Sequence, residues 1–166
     1  MGPGRAGVVS EMAMNDDEFE AAVAKIQQEV FTDVRRAFGD VGFERWRKTR
    51  YHGRMNDADS FARIRGRCGD TMEIYLKFRD GVVHKATYFT DGCGSSALCG
   101  SFTAELAMGR NPDEVCRITG ADVLRELGTF PKDEEHCAAL AVETLQEALH
   151  QYMLNDTGQR NEEAAT

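Results

Sequence analysis

The stretch Thr90-Asp91-Gly92-Cys93-Gly94-Ser95-Ser96 sets a cysteine between two glycines where a strand pattern gives way to a helix pattern. Upstream, Val83 to Phe89 is rich in β-branched and aromatic residues. Downstream, Ala97, Leu98, Phe102, Leu106 and Met108 recur at helical spacing. A side chain at such a junction sits beside the unpaired N–H groups that open the helix, and these favour an anion such as a thiolate. Glycines on both sides lack a Cβ and let backbone N–H groups approach whatever the sulfur binds. A buried structural cysteine needs none of this. Cys93 therefore reads as a ligand or a nucleophile.

The residues before it describe a small antiparallel sheet. Met72, Ile74, Leu76 and Phe78 alternate with Glu73, Tyr75, Lys77 and Arg79. Asp80-Gly81 is a hairpin turn, and Val82 to Thr90 returns as the partner strand, with a bulge expected around His84 and Lys85. Earlier, Ala62, Ile64 and Gly66 alternate with Arg63, Arg65 and Arg67, as in a strand with one wet side. Cys68-Gly69-Asp70 precedes one strand of the hairpin and Cys93 follows the other. The antiparallel pairing predicts both sulfurs at the same sheet edge.

Helical patterns flank the sheet. From Asn15-Asp16-Asp17 an apolar stripe of Phe19, Val23, Ile26, Val30, Val34 and Phe38 predicts a helix that Gly39 stops. It reads as a core helix, with a homodimer or partner contact as the alternative. Asn111-Pro112-Asp113-Glu114 and Thr119-Gly120-Ala121-Asp122 are start signals for short helices. The last helix opens at Asp133-Glu134-Glu135-His136-Cys137 and runs to about Met153, with Cys137, Ala141, Leu145, Ala148 and Tyr152 on one stripe. The fold class is α+β: about three antiparallel strands with helices packed on one face, plus an extra N-terminal helix. Residues 1–14 read as a disordered tail, 15–44 as the helical extension, 45–153 as the main domain and 154–166 as a flexible tail.

Charge narrows the function. The net charge of −8 and pI near 5.0 argue against nucleic acid as a partner. One basic zone, Arg45 to Arg67, carries a local net of +6 and reads as a solvated face and a docking patch for an acidic protein. No apolar run approaches the roughly 18 residues of a membrane span, and no targeting signal is evident, so a cytoplasmic protein without membrane contact is expected. Five cysteines without a Cys-x-x-Cys pair fit neither a disulfide framework nor a zinc knuckle.

Cys68, Cys93 and Cys137 all fall at the ends of elements, with Asp70 beside the first and His136 beside the last. Thiolate, imidazole and carboxylate together are metal-ligand chemistry, and three soft sulfurs suit an iron–sulfur cluster or zinc. Asp70 is a harder, more exchangeable ligand than a fourth cysteine would be. Cys99, about 240° round the helix from Cys93 on a ~3.6-residue period, and Cys116 read as core. His52, His84 and His150 show no ligand spacing. A Cys–His nucleophilic enzyme built on Cys137 is disfavoured, because adjacent helix positions point His136 away from it.

These motifs resemble the IscU/NifU-type iron–sulfur cluster assembly scaffolds. Cys68-Gly69-Asp70, Asp91-Gly92-Cys93-Gly94-Ser95 and His136-Cys137 carry the resemblance, which extends over about Tyr51 to Tyr152. It implies an assembly protein rather than an enzyme, with a transient [2Fe–2S] cluster built from iron on Cys68, Cys93 and Cys137. Asp70 or His136 would complete the site. A cysteine desulfurase would deliver the sulfur, apo iron–sulfur proteins would take the cluster, and zinc could occupy the site as isolated. The alternative is a related branch of zinc-bound sulfur acceptors, which carries an insertion between the second and third cysteines and lacks the histidine. Here 44 positions separate Cys93 from Cys137 and His136 is present, which fits the scaffold branch. Thr129-Phe130-Pro131-Lys132-Asp133-Glu134 stands where relatives carry a Leu-Pro-Pro-Val-Lys segment read by an Hsp70-type chaperone, so that partner is not expected.

Overall fold

The central strand of the molecule is buried on both faces. A computed structural model describes residues 15–164; the tail expected at 1–14 lies outside the described residues. The chain divides into two units, Met1–Asp33 and Val34–Thr166. Helix α1, Asp16–Arg47, begins in the first and ends in the second. The strands are β1 (Ser60–Arg65), β2 (Thr71–Arg79) and β3 (Val82–Thr90), in the order β1-β2-β3 and antiparallel throughout. After β3 come α2 (Gly94–Ala107), α3 (Pro112–Cys116), α4 (Gly120–Leu127), a 3-10 turn at Lys132–Glu134 and α5 (His136–Ala164).

The alternation in β2 sends Met72, Ile74 and Leu76 to one face, where all three are fully buried. Helix α2 packs on β3 and β2, α5 packs on β1 and β2, and the two helices meet each other. Leu98, Phe102, Leu140, Ala141 and Leu145 complete this core. Each such apolar side chain contributes about 1.5–3 kcal/mol on burial, so this layer dominates stability. Phe78 ends the row by stacking on Tyr152, with ring centroids 3.6 Å apart.

The opposite face of β2 carries Glu73 and Tyr75, and they too are buried. Arg54 clamps the Glu73 carboxylate with bonds of 2.8 and 3.0 Å, and the Tyr75 hydroxyl donates to it at 2.6 Å. The Phe61 ring stacks on Tyr75 at 5.3 Å. Arg54 itself stays about half exposed, so this part of the basic zone braces the sheet while still facing solvent. Arg45 likewise bonds Ser101 and Glu105 and lies over the Phe102 ring.

The Asp80-Gly81 turn forms as expected, and the register shifts so that Lys77 pairs Lys85 while Phe78 pairs Val83, leaving His84 as the bulged residue. The free edge of β3 is covered: His52 bridges Tyr88, with Gly53 and Tyr51 sharing its backbone hydrogen bonds. Both short helices start with the reciprocal caps read from the sequence, Asn111 with Glu114 and Thr119 with Asp122.

Gly39 does stop the first helical run, with a non-helical backbone at φ +66°, and a second run follows directly to Arg47 within α1. Two other local expectations change. The stripe of α1 is not one core face. Phe38 packs against the core and Phe43 is buried, whereas Phe19 and Ile26 are 57% and 61% exposed. Helix α5 continues past Met153 to Ala164.

Helix α2 approaches the sheet closely because position 100 is glycine. A Cβ there would lie 2.5 Å from Tyr88 Cδ2 and 3.0 Å from Met72 Sδ. Both neighbours are fully buried and have nowhere to go. Gly100→Ala is expected to cost about 1–3 kcal/mol by overpacking, read as a lower urea midpoint. A second expectation concerns pH. The bonds from Arg54, aided by Tyr75 and Arg63 against the effect of burial, hold the Glu73 carboxyl below its ordinary value. A lowered folded value stabilises the fold above the unfolded value of about 4.3, and this is lost as pH falls through the folded value. Glu73→Gln should therefore be less stable than wild type above about pH 5, with the gap closing on acidification. Urea midpoints measured as a function of pH check this.

Candidate metal centre

The register of the sheet brings two loops together. Arg65 pairs Thr71 and Met72 pairs Thr90, so the β1–β2 turn and the exit of β3 share one edge. The turn is closed by Gly66 N–H donating to the Asp70 carbonyl at 2.8 Å and Gly69 N–H to the Gly66 carbonyl at 3.0 Å. Arg65 adds a bond to the Gly69 carbonyl. Cys68 sits exposed at its tip. The neighbouring loop is pinned to the start of β2: Asp91 accepts the Thr71 N–H at 2.6 Å. The Thr90 hydroxyl donates to the Thr71 carbonyl at 2.7 Å and accepts the Gly92 N–H at 3.1 Å. That Thr71 N–H holds the Asp91 carboxyl below its ordinary value.

Cys93 is the N-cap residue of α2, in extended conformation and exposed, with no side-chain cap bond. The two glycines expected to free space around it do so in different ways. A Cβ on Gly92 would overlap the Asp70 carboxylate, so only glycine lets the acid lie against this backbone. Gly94 faces the Trp46 ring. Trp46 and Cys93 help line a pocket of about 200 Å³ with Arg45, Thr49 and Tyr88.

The third donor group comes from the start of α5. The His136 ring places Nδ1 3.1 Å from the Asp133 carbonyl, which turns Nε2 toward Cys137 Sγ at 3.7 Å. The expectation that adjacent helix positions keep these two apart is not met, because His136 is the first residue of α5 and its ring folds back over the turn. His136 also shares a groove of about 540 Å³ with Cys68, Gly66, Leu140 and Glu143. Cys137 itself is only 1% exposed.

Ser96 stands between these groups. Its Oγ lies 2.6 Å from Asp70 Oδ2 and 3.5 Å from Cys137 Sγ. The adjacent Ser95 hydroxyl bonds Glu134, on the turn leading into His136. Both serines were part of the motif that opened the sequence reading, yet nothing in their spacing singled them out. Their role depends on which side chains the fold delivers to the first turn of α2.

Burial pushes the Cys137 thiol up to about 11, the Ser96 contact pulls it the other way, and Cys93, Cys68 and Asp70 add to the rise. Those three groups are thus close enough to be felt at Cys137. A thiol raised by burial is the opposite of an activated nucleophile. Among the described residues, no three His, Cys, Asp or Glu groups converge on one point as around a bound ion. Cys99 lies buried behind the site, its thiol pushed up by burial. Cys116, expected in the core, is exposed; Val115 of that short helix and Ile118 just beyond it take the inward positions.

The chain is 32% identical over 116 residues to the iron–sulfur cluster assembly scaffold protein IscU 1 of Archaeoglobus fulgidus, covering 69% of this chain and 76% of that protein. It is 34% identical over 86 residues to the scaffold protein IscU of Escherichia coli K12, covering 51% of this chain and 66% of the relative. The N-terminal NifU-like protein of Brucella abortus has a similar fold, with a TM-score of 0.55 at 20% identity over 72% of this chain and 96% of that one. A putative scaffold protein for the SUF system from Fervidobacterium islandicum aligns with a TM-score of 0.57 at 14% identity, over 69% of this chain and 98% of that one. Residues 38–158 match the family described as the NifU-like N terminal domain. The chain belongs to that family.

Proposed function

We propose that this protein is a scaffold on which a [2Fe–2S] cluster is assembled from iron and sulfide and then passed to apo-proteins. The observation that supports it most is that the Ser96 hydroxyl joins Asp70 to Cys137, with His136 Nε2 3.7 Å from that sulfur and Cys68 sharing a groove with His136. Cys68, Cys93 and Cys137 are the proposed thiolate ligands, with Asp70 or His136 completing the set. Relatives named as cluster assembly scaffolds support the same reading.

The chemistry asked of the site is capture followed by release. Thiolates hold iron strongly, whereas a carboxylate is a harder and more exchangeable donor, so Asp70 is the corner at which cargo leaves. Cys137 enters the site as a thiol and must lose its proton on loading, so loading releases protons and strengthens with pH. A cysteine desulfurase supplies the sulfur, and apo iron–sulfur proteins receive the cluster in the cytoplasm. The protein acts as an assembly protein rather than an enzyme. Zinc suits the same donors and can occupy the site in isolated protein. The segment before α5 is engaged within the fold, through Phe130 against Phe38 and Glu134 at Ser95. Among the described residues, no helix is long and apolar enough to cross a membrane.

Anaerobic reconstitution of the apo-protein with iron, cysteine and a cysteine desulfurase tests the proposal. Wild type should develop sulfur-to-iron charge-transfer absorbance, and Cys93→Ala should lose most of it. No cluster, with tight zinc and a persulfide on a cysteine instead, would overturn the scaffold reading in favour of a zinc-bound sulfur acceptor. Asp70→Ala should retain its cluster longer, with transfer to an apo-ferredoxin slowed roughly tenfold or more, followed by the recipient's visible spectrum.

A further inference from the structure

We propose that Ser96 is a positioning residue for cargo binding: its hydroxyl, which also lies beside Cys137, ties Asp70 to the first turn of α2, so that the carboxylate is in place when a metal arrives. The inference rests on the ligand set proposed above. Ser96 is fully buried on the first turn of α2, so its backbone is fixed by the helix and only the hydroxyl rotates. The hydroxyl has one proton and two neighbours. Asp70 Oδ2 at 2.6 Å is the shorter and charged partner, as in a charge-assisted bond, while Cys137 Sγ at 3.5 Å is a weak one.

The rest of the site makes Asp70 depend on this bond. Its backbone is tied by the Gly66 N–H, and its carboxylate lies over Gly92, which has no side chain to hold it. Ser95 performs a parallel task one residue earlier, bonding Glu134 on the segment that leads to His136 and Cys137. Two consecutive hydroxyls on one rigid turn therefore clasp opposite walls of the site. Groups that orient a ligand from behind change metal affinity by about 10–100-fold when removed, and Ser96 has that position.

Cobalt(II) is the probe, because sulfur-to-cobalt charge transfer reports thiolate binding without any assembly activity. The full apo chain is titrated anaerobically as wild type, Ser96→Ala, Asp70→Ala and the double variant. Ser96→Ala should lose about 10–100-fold in affinity, but less than about threefold in the Asp70→Ala background, because its effect runs through that carboxylate. Ser96→Thr, which keeps the hydroxyl, should bind as wild type does. Thermal melts of the apo variants check folding. If Ser96→Ala does not melt cooperatively, Ser96→Gly removes the same hydroxyl and takes its place. Unchanged affinity in Ser96→Ala, or an equal loss in both backgrounds, would overturn the role of Ser96 while leaving the scaffold reading intact. A wild type that binds cobalt without a charge-transfer band would overturn both.

Discussion

Strand β2 is paired on both edges and covered on both faces, and the candidate site inherits its geometry from that strand. Its inner side chains anchor α2 and α5, whose first turns supply Ser96 and Cys137. Its N-terminal end carries Thr71, which bonds Thr90 and Asp91 from the neighbouring loop and follows directly on Asp70. A slip of one residue in its register would turn Met72, Ile74 and Leu76 outward and carry Asp70 away from Ser96. Packing and donor placement are therefore the same constraint viewed at two ends of one element.

The site is assembled without being closed. Two of its sulfurs are exposed, the third is buried with a raised thiol, and no three donors meet at a point among the described residues. Such a site has little preformed negative charge at its centre, which keeps the apo fold free of strong repulsion. A cation would supply the attraction that draws the donors together. The proposed roles of Asp70 as the exchangeable corner and Ser96 as its holder rest on the hardness of a carboxylate donor and on the Ser96–Asp70 bond.

Much of the architecture was legible in the chain because it depends on local rules. The alternation in β2, the Asp80-Gly81 turn, the bulge at His84 and the caps at Asn111 and Thr119 each rest on a few neighbouring residues. Placement of Cys68 and Cys93 at one edge needed only antiparallel pairing. Helix α1 was less legible, because a stripe of apolar residues does not state what covers it. Phe38 and Phe43 found the core, whereas Phe19 and Ile26 did not. The charge of Arg54 gave no hint that it would cap a buried Glu73.

The sequence alone determined the strands, their turn, the helix starts and the kinds of donor available, since periodicity, capping and side-chain chemistry are properties of short segments. Only the tertiary structure decided that Ser96 stands between Asp70 and Cys137, that His136 folds back on Cys137, and that Cys116 faces outward. These outcomes join residues from separate elements, and their distances follow from how the helices seat on the sheet. The close approach at Gly100 fixes that seating and with it the first turn of α2. No spacing rule along the chain encodes it.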